Sequence, residues 1–235
     1  MRNIIIICVC LLSFFKSNAQ LMDTLPEMSP EYFMKKFRWG VSFNQSFSTI
    51  TGSIAPFDYF TKPSLGGGLE TEYFFNKNIG IGSGFIFQQR GVGIYTTDVV
   101  KEVGDADSTH RQRLRFNCLD LPIRLVFRSG KGLSKGNRWS GNIGIIPMYS
   151  FKTNSIFHSI EDGFHQIEDW GDRFKKFDLA ASLSFGLNIN AGDAALLQLH
   201  LYASYGLLNT YNNTALFGQA KGNHLLFGLK ASALF

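Results

Sequence analysis

The stretch that decides the fold is Leu225-Leu226-Phe227-Gly228-Leu229-Lys230-Ala231-Ser232-Ala233-Leu234-Phe235. Leu225, Phe227, Leu229, Ala231, Ala233 and Phe235 are apolar, and Gly228, Lys230 and Ser232 alternate with them. A period of two places the apolar set on one face of a strand and the polar set on the other. A bilayer admits only helices and closed barrels as spanning structures, because each backbone polar group must find its partner within the protein. A strand that is oily on one face, polar on the other and closed by an aromatic residue suits the last stave of such a barrel.

The same parity recurs upstream, over about 37–48, 65–75, 79–90, 112–128, 139–152, 175–190 and 194–207. Trp39, Val41, Phe43 and Phe47 alternate with Gly40, Ser42, Asn44 and Ser46; Leu183, Phe185 and Leu187 alternate with Ser182, Ser184, Gly186 and Asn188. Segment 112–128 is the least regular, and Asp120-Leu121-Pro122 is where a bulge is expected to shift its register. Each segment is long enough for a tilted crossing of about 9–11 residues. The expected fold is all-β: an eight-stranded antiparallel up-and-down transmembrane β-barrel.

Alternation alone does not say which face points inward. A soluble eight-stranded barrel would bury the apolar face and show the polar one to water. Two features favour the membrane arrangement. The polar set includes Glu70, Glu72, Arg90, Arg124, Asp178 and Lys230, charges of both signs that can neutralise one another in a narrow lumen. Aromatic residues stand near segment ends (Trp39, Tyr73, Phe75, Trp139, Tyr149, Phe151, Phe177), as an interfacial girdle requires.

The N-terminus carries an address. Arg2 precedes the apolar core Ile4 to Phe15, and Ser17-Asn18-Ala19 is a small-x-small cleavage site. The core falls short of the roughly 20 apolar residues of a spanning helix. The expected organisation is a signal peptide over 1–19, a periplasmic lead over 20–36 and a barrel domain over 37–235, with no further domain after the barrel. Cleavage removes Cys8 and Cys10, leaving Cys118 without an intramolecular disulfide partner. Charged residues make up 17% of the chain, below the ~25% typical of soluble proteins. The excess of positive charge is scattered rather than gathered in a stripe, so no nucleic-acid partner is expected.

Short connections at 76–78, 129–138 and 191–193 alternate with long ones at about 49–64, 91–111, 153–174 and 208–222. Short periplasmic turns and long outer loops fit a barrel of the outer membrane.

Several segments resemble the PorT-like outer-membrane β-barrel proteins of Bacteroidota: Trp39-Gly40-Val41-Ser42-Phe43, Gly66-Gly67-Gly68-Leu69-Glu70, Leu119-Asp120-Leu121-Pro122-Ile123-Arg124, Phe177-Asp178-Leu179 and Tyr205-Gly206-Leu207-Leu208-Asn209. The resemblance spans about 37–235. Cys118 stands where that family usually has an aromatic residue, and Asp120 where it has Glu. These motifs are architectural. The resemblance implies the barrel fold and, more distantly, a place in a protein secretion system.

The candidate sites follow from this frame. Glu70, Glu72, Arg90, Arg124, Asp178 and Lys230 are expected to form an ion-pair network filling the lumen, with Gly80, Gly82 and Gly84 leaving room for it; a narrow solute channel is the alternative. Arg111, Arg113 and Arg115 share one parity and are candidates for contact with lipopolysaccharide phosphates. Phe227, Leu229 and Phe235 are the expected insertion signal, read by the barrel insertion machinery. His158, Glu161, Asp162, His165, Glu168 and Asp169 match no recognised metal-binding spacing. No catalytic residue, metal or cofactor is expected. The expected role is non-enzymatic, structural or interactive, with outer-membrane lipid and a secretion or surface protein as partners.

Overall fold

The structure is a computed structural model. It describes residues 36–53, 58–96, 110–129, 137–158, 165–191, 195–211 and 221–235. The expected signal peptide, the lead up to residue 35, and Glu161 and Asp162 lie outside the described residues.

Among the described residues there are ten strands: β1 (Phe37–Ser53), β2 (Asp58–Phe74), β3 (Ile79–Thr96), β4 (His110–Asp120), β5 (Ile123–Arg128), β6 (Arg138–His158), β7 (His165–Asp169), β8 (Phe177–Asn190), β9 (Leu196–Gly206) and β10 (Lys221–Leu234). Neighbours in sequence pair antiparallel, and β1 pairs with both β2 and β10, so the sheet closes on itself. β4 and β5 are two halves of one stave interrupted by Leu121-Pro122, and β7 is a short strand on the outer end of β6. The ring therefore has eight staves.

Closure is tight at the seam. The Phe235 amide donates to the Trp39 carbonyl at 2.7 Å, and their rings lie 5.9 Å apart. Phe47 and Phe227 face each other across the same seam at 5.8 Å. Closure leaves no unpaired edge in the hydrocarbon, which is what makes a sheet tolerable there.

Side-chain burial settles the orientation. Along β1, Arg38, Ser42, Asn44, Ser46 and Ser48 are buried, while Trp39, Val41, Phe43 and Phe47 are exposed. On β9, Gln198, His200 and Ser204 are buried, and Leu201 is 66% exposed. The polar set points inward and the apolar set outward.

Two expectations need correction. The register at Asp120-Leu121-Pro122 does not shift: Asp120 lies opposite Ile86 and Ile123 opposite Ser83, so the count is preserved across the break. Pro122 removes a donor without inserting a residue, and the Leu121 amide keeps its bond to the Pro147 carbonyl. The shifts lie elsewhere, between Asn117 and Cys118 against β6 and between Thr61 and Gly66 against β3.

The second correction concerns the long connections. Much of 49–64, 91–111 and 153–174 is strand, because β1, β2, β3, β4 and β6 run on past the apolar belt. Their alternation continues with its sign reversed. Ile50, Val92, Ile94, Leu114, Phe116 and Cys118 point inward and form one buried cluster with Phe174 and Tyr211. Arg113 and Thr61 are exposed. Beyond the lipid the outer face meets water, so the barrel there is built as a soluble one, apolar within.

Pro63 explains the shift in β2. It has no amide to donate, and residues 62–65 leave the ladder with β3. Ser48 of β1 fills the gap. Its hydroxyl donates to the Gly91 carbonyl and accepts from the Gly91 amide, each at 2.7 Å.

Candidate functional site

The lumen is filled in layers. Near the periplasmic end, Arg128 pairs with Glu72 at 2.8 Å and lies over the Phe74 ring at 3.6 Å, and the Gln198 amide donates to Glu72 at 3.1 Å. One layer up, Glu70 is 1% exposed and holds two cations, Lys230 at 2.7 Å and Arg124 at 3.3 Å. Above these, Arg90 donates to Asp120 at 2.6 Å. Burying charge is tolerable only when it is paired and hydrogen-bonded, and each carboxylate here has a cation.

The sheet makes room for these groups. Gly84 lies opposite Glu70, and Gly82 lies opposite both Glu72 and Arg124. A Cβ on Gly84 would approach the Leu69 carbonyl oxygen to 2.4 Å. Small inward residues on β3 thus face long charged ones on both neighbours.

A neutral network completes the filling. His200 lies among Ser140, Asn142 and Ser184, with Nε2 2.8 Å from the Ser140 hydroxyl. The Asn44 amide donates to Gln88 at 2.6 Å. A cavity of about 50 Å³ remains, lined by Asn44, Gln88, Arg90, Asp120, Arg124 and Lys230 among others. That is room for a few waters. The apolar cluster around Phe116, Phe174 and Tyr211 lies at the outer end, and Trp170 packs against it.

The expected lumen residues divide. Glu70, Arg124 and Lys230 come together, while Glu72 meets Arg128 across β3 and Arg90 meets Asp120 on the neighbouring β4. Asp178 does not belong with them: its Oδ1 accepts from the Leu179 and Leu208 amides. Asn209 acts similarly, accepting from the Tyr211 and Gly222 amides. Two polar residues of the resembling motifs are therefore backbone clamps at the outer ends of β8, β9 and β10. Arg128, Asp120 and His200 were missed as site residues, although each follows the inward parity of its strand.

The other expected groups lie on the outer surface. Phe227, Leu229 and Phe235 are exposed on β10. Arg113 is exposed and Arg115 half-buried on β4, in the outward parity. Arg111 shares their strand, opposite Tyr95, and its side chain lies outside the described residues. Among the described residues, no group of three His, Cys, Asp or Glu gathers as a metal site would. Cys118 is buried in the outer cluster.

The family described as outer membrane protein beta-barrel domain matches residues 18–212. No curated protein matches the chain. Among solved structures, Ail, the attachment invasion locus protein of Yersinia pestis, crystallised with the heparin analogue sucrose octasulfate, is similar at 15% identity and a TM-score of 0.39. That match covers 85% of this chain and 99% of Ail. OprG from Pseudomonas aeruginosa is similar at 10% identity and a TM-score of 0.44, with 85% and 94% covered. Neisserial surface protein A is similar at 5% identity and a TM-score of 0.42, with 84% and 96% covered.

Proposed function

Since the chain belongs to the outer membrane protein beta-barrel domain family, we propose that it is a sealed, non-enzymatic barrel of the outer membrane that works through its surfaces and not through its lumen. The filled interior carries this reading. Glu70 with its two cations, the Arg90–Asp120 and Arg128–Glu72 pairs and the apolar outer cluster occupy the space a channel would need. An eight-stranded barrel is just wide enough for such side chains.

The test is conductance of the purified barrel in a planar bilayer. The sealed reading expects no steps above the bare-bilayer baseline. Discrete, ion-selective openings that vanish when Gly84 is replaced by a bulkier residue would favour the narrow channel instead.

The PorT-like segments support a second reading, in which the partner is a component of a protein secretion system. Its support is the sequence resemblance alone. Asp178 and Asn209, the polar residues of two of those segments, are engaged in backbone clamping, so the motifs speak for the barrel more than for a task. Affinity capture of the tagged barrel from native outer membrane separates the two: secretion components at near-stoichiometric yield favour the second reading, and bare barrel favours the first.

A further inference from the structure

Along the outward face of β3 and β4 the residue pairs change character in order. Phe87 stands opposite Leu119, then Gln89 opposite Asn117, Gly91 opposite Arg115, and Gly93 opposite Arg113. The amide pair bridges the strands, Gln89 Nε2 donating to Asn117 Oδ1 at 3.4 Å. The last lipid-facing apolar residues on these staves are Leu65, Phe87 and Leu119. Arg115 lies four residues beyond Leu119, about 13 Å along a tilted strand at the usual rise. With the tilt, that is about 9–11 Å above Leu119, at the outer edge of the headgroup layer.

A third cation joins the two arginines. Lys62 leaves the β2–β3 ladder at the Pro63 irregularity. Its side chain lies against Gly91, where an added Cβ would be 3.1 Å from Lys62 Cδ and 3.4 Å from Nζ. Among the described residues, Arg115 and Arg113 are charges that act on it. Lys62 is 9% exposed, and neither its Nζ nor Arg115 Nε has a hydrogen-bond partner among the described residues. Gly91, opposite Arg115, leaves room for the Lys62 side chain, and the Phe60 ring covers Gly93, opposite Arg113. Asp169 stands in the same row as Arg115 with Asn154 between them, and it lines a polar pocket with Asp172, Lys152, Lys175 and Lys176.

Lys62, a buried cation beside two further positive charges and with no carboxylate partner among the described residues, is unfavourable unless an anion completes it. We infer that Lys62, Arg113 and Arg115 form a binding site for the phosphate of an outer-leaflet lipid, lipopolysaccharide in particular. The paired guanidinium groups supply bidentate donors, and the ammonium supplies a third charge beneath them. The source is lipid and not a soluble anion because the arginines face outward on the same wall as the last lipid-facing residues, one polar row above them. The inference deepens the expected lipopolysaccharide contact of the arginines and rests on the outer-membrane reading.

The test uses the mature barrel refolded in detergent micelles, with folding scored first by its heat-modifiable migration on gels. Native mass spectrometry then titrates diphosphoryl lipid A, dephosphorylated lipid A and inorganic phosphate. Lys62→Gln/Arg113→Gln/Arg115→Gln should lower the affinity for diphosphoryl lipid A about ten-fold or more. Dephosphorylated lipid A should bind weakly to both proteins. Lys152→Gln/Lys175→Gln/Lys176→Gln, with the same change in charge, should bind as the parent does. Arg113→Gln/Arg115→Gln serves if the triple variant does not fold.

Unchanged affinity in the folded site variants overturns the site. So does an equal loss in the Lys152 triple variant, which would show general charge attraction. Full competition by inorganic phosphate at equal concentration overturns the lipid source. A parent chain that will not fold in micelles or bilayers would strike the outer-membrane reading itself.

Discussion

Lys230 and Glu70 meet at 2.7 Å inside the barrel although 160 residues separate them in sequence. The pair ties the last stave, β10, to β2 on the other side of β1. Glu70 also holds Arg124, so the two ends of this interaction are unequal. Glu70→Gln strands two buried cations and should destabilise the barrel by about 3–5 kcal/mol. Lys230→Met leaves Glu70 with Arg124 and should cost less than about 2 kcal/mol. Urea unfolding in phospholipid vesicles measures both, and equal losses would contradict the shared-carboxylate account.

Ser48 is expected to matter out of proportion to its size. Its hydroxyl serves both backbone groups of Gly91 where the β2–β3 ladder lapses. Ser48→Ala leaves them without that partner and should cost about 1–3 kcal/mol. Hydrogen exchange gives a local readout: the Gly91 amide should lose protection while amides in β8 and β9 keep theirs.

The outer end is held as a soluble core would be. Phe116 is buried, its ring 4.9 Å from both Phe174 and His224. Phe116→Ala should cost about 3–5 kcal/mol, as truncation of a packed aromatic does. Thr61→Ala, at an exposed site on the same end, should change stability by less than about 0.5 kcal/mol. Thermal or urea unfolding of the two variants compares them directly.

This reversal of sign is what the sequence pattern concealed. Within the belt each stave alternates oily and polar residues, and Phe43 against Asn44 or Leu201 against His200 can be assigned once the outside is known to be lipid. Above the belt Val92 and Leu114 take the inward place of Arg90 and Asp120, and Gly91 and Arg115 take the outward place of Phe87 and Leu119. A search for one consistent oily face stops there and yields loops. The inward charges were legible by parity, but their partners were not. Which carboxylate meets which cation depends on register between staves, and Asp178 was drawn off by backbone amides that no periodicity marks. Lys62 escaped notice because its placement depends on the irregularity at Pro63.

A depth scan should separate belt from outer rim. Leu201→Arg puts a charge on the most exposed lipid-facing residue of β9 and should cost about 2–4 kcal/mol in a bilayer if it lies near the midplane. Thr51→Arg, on the outward parity of β1 above the belt, should cost about 0–1 kcal/mol. Equal costs in vesicle refolding titrations would mean that the two positions share one environment.

The central claim, oily residues outward into lipid around a polar interior, is tested most directly by quenching with brominated acyl chains. Variants keeping one native tryptophan each, Trp39 or Trp139 on the outer wall or Trp170 at the outer cluster, are refolded into vesicles beside a Phe43→Trp variant lacking all three. The account predicts strong quenching at positions 39, 139 and 43, deepest bromines acting best on position 43, and little at Trp170. Fluorescence at 39, 139 and 43 that the brominated chains leave untouched, with the chain folded, would contradict it.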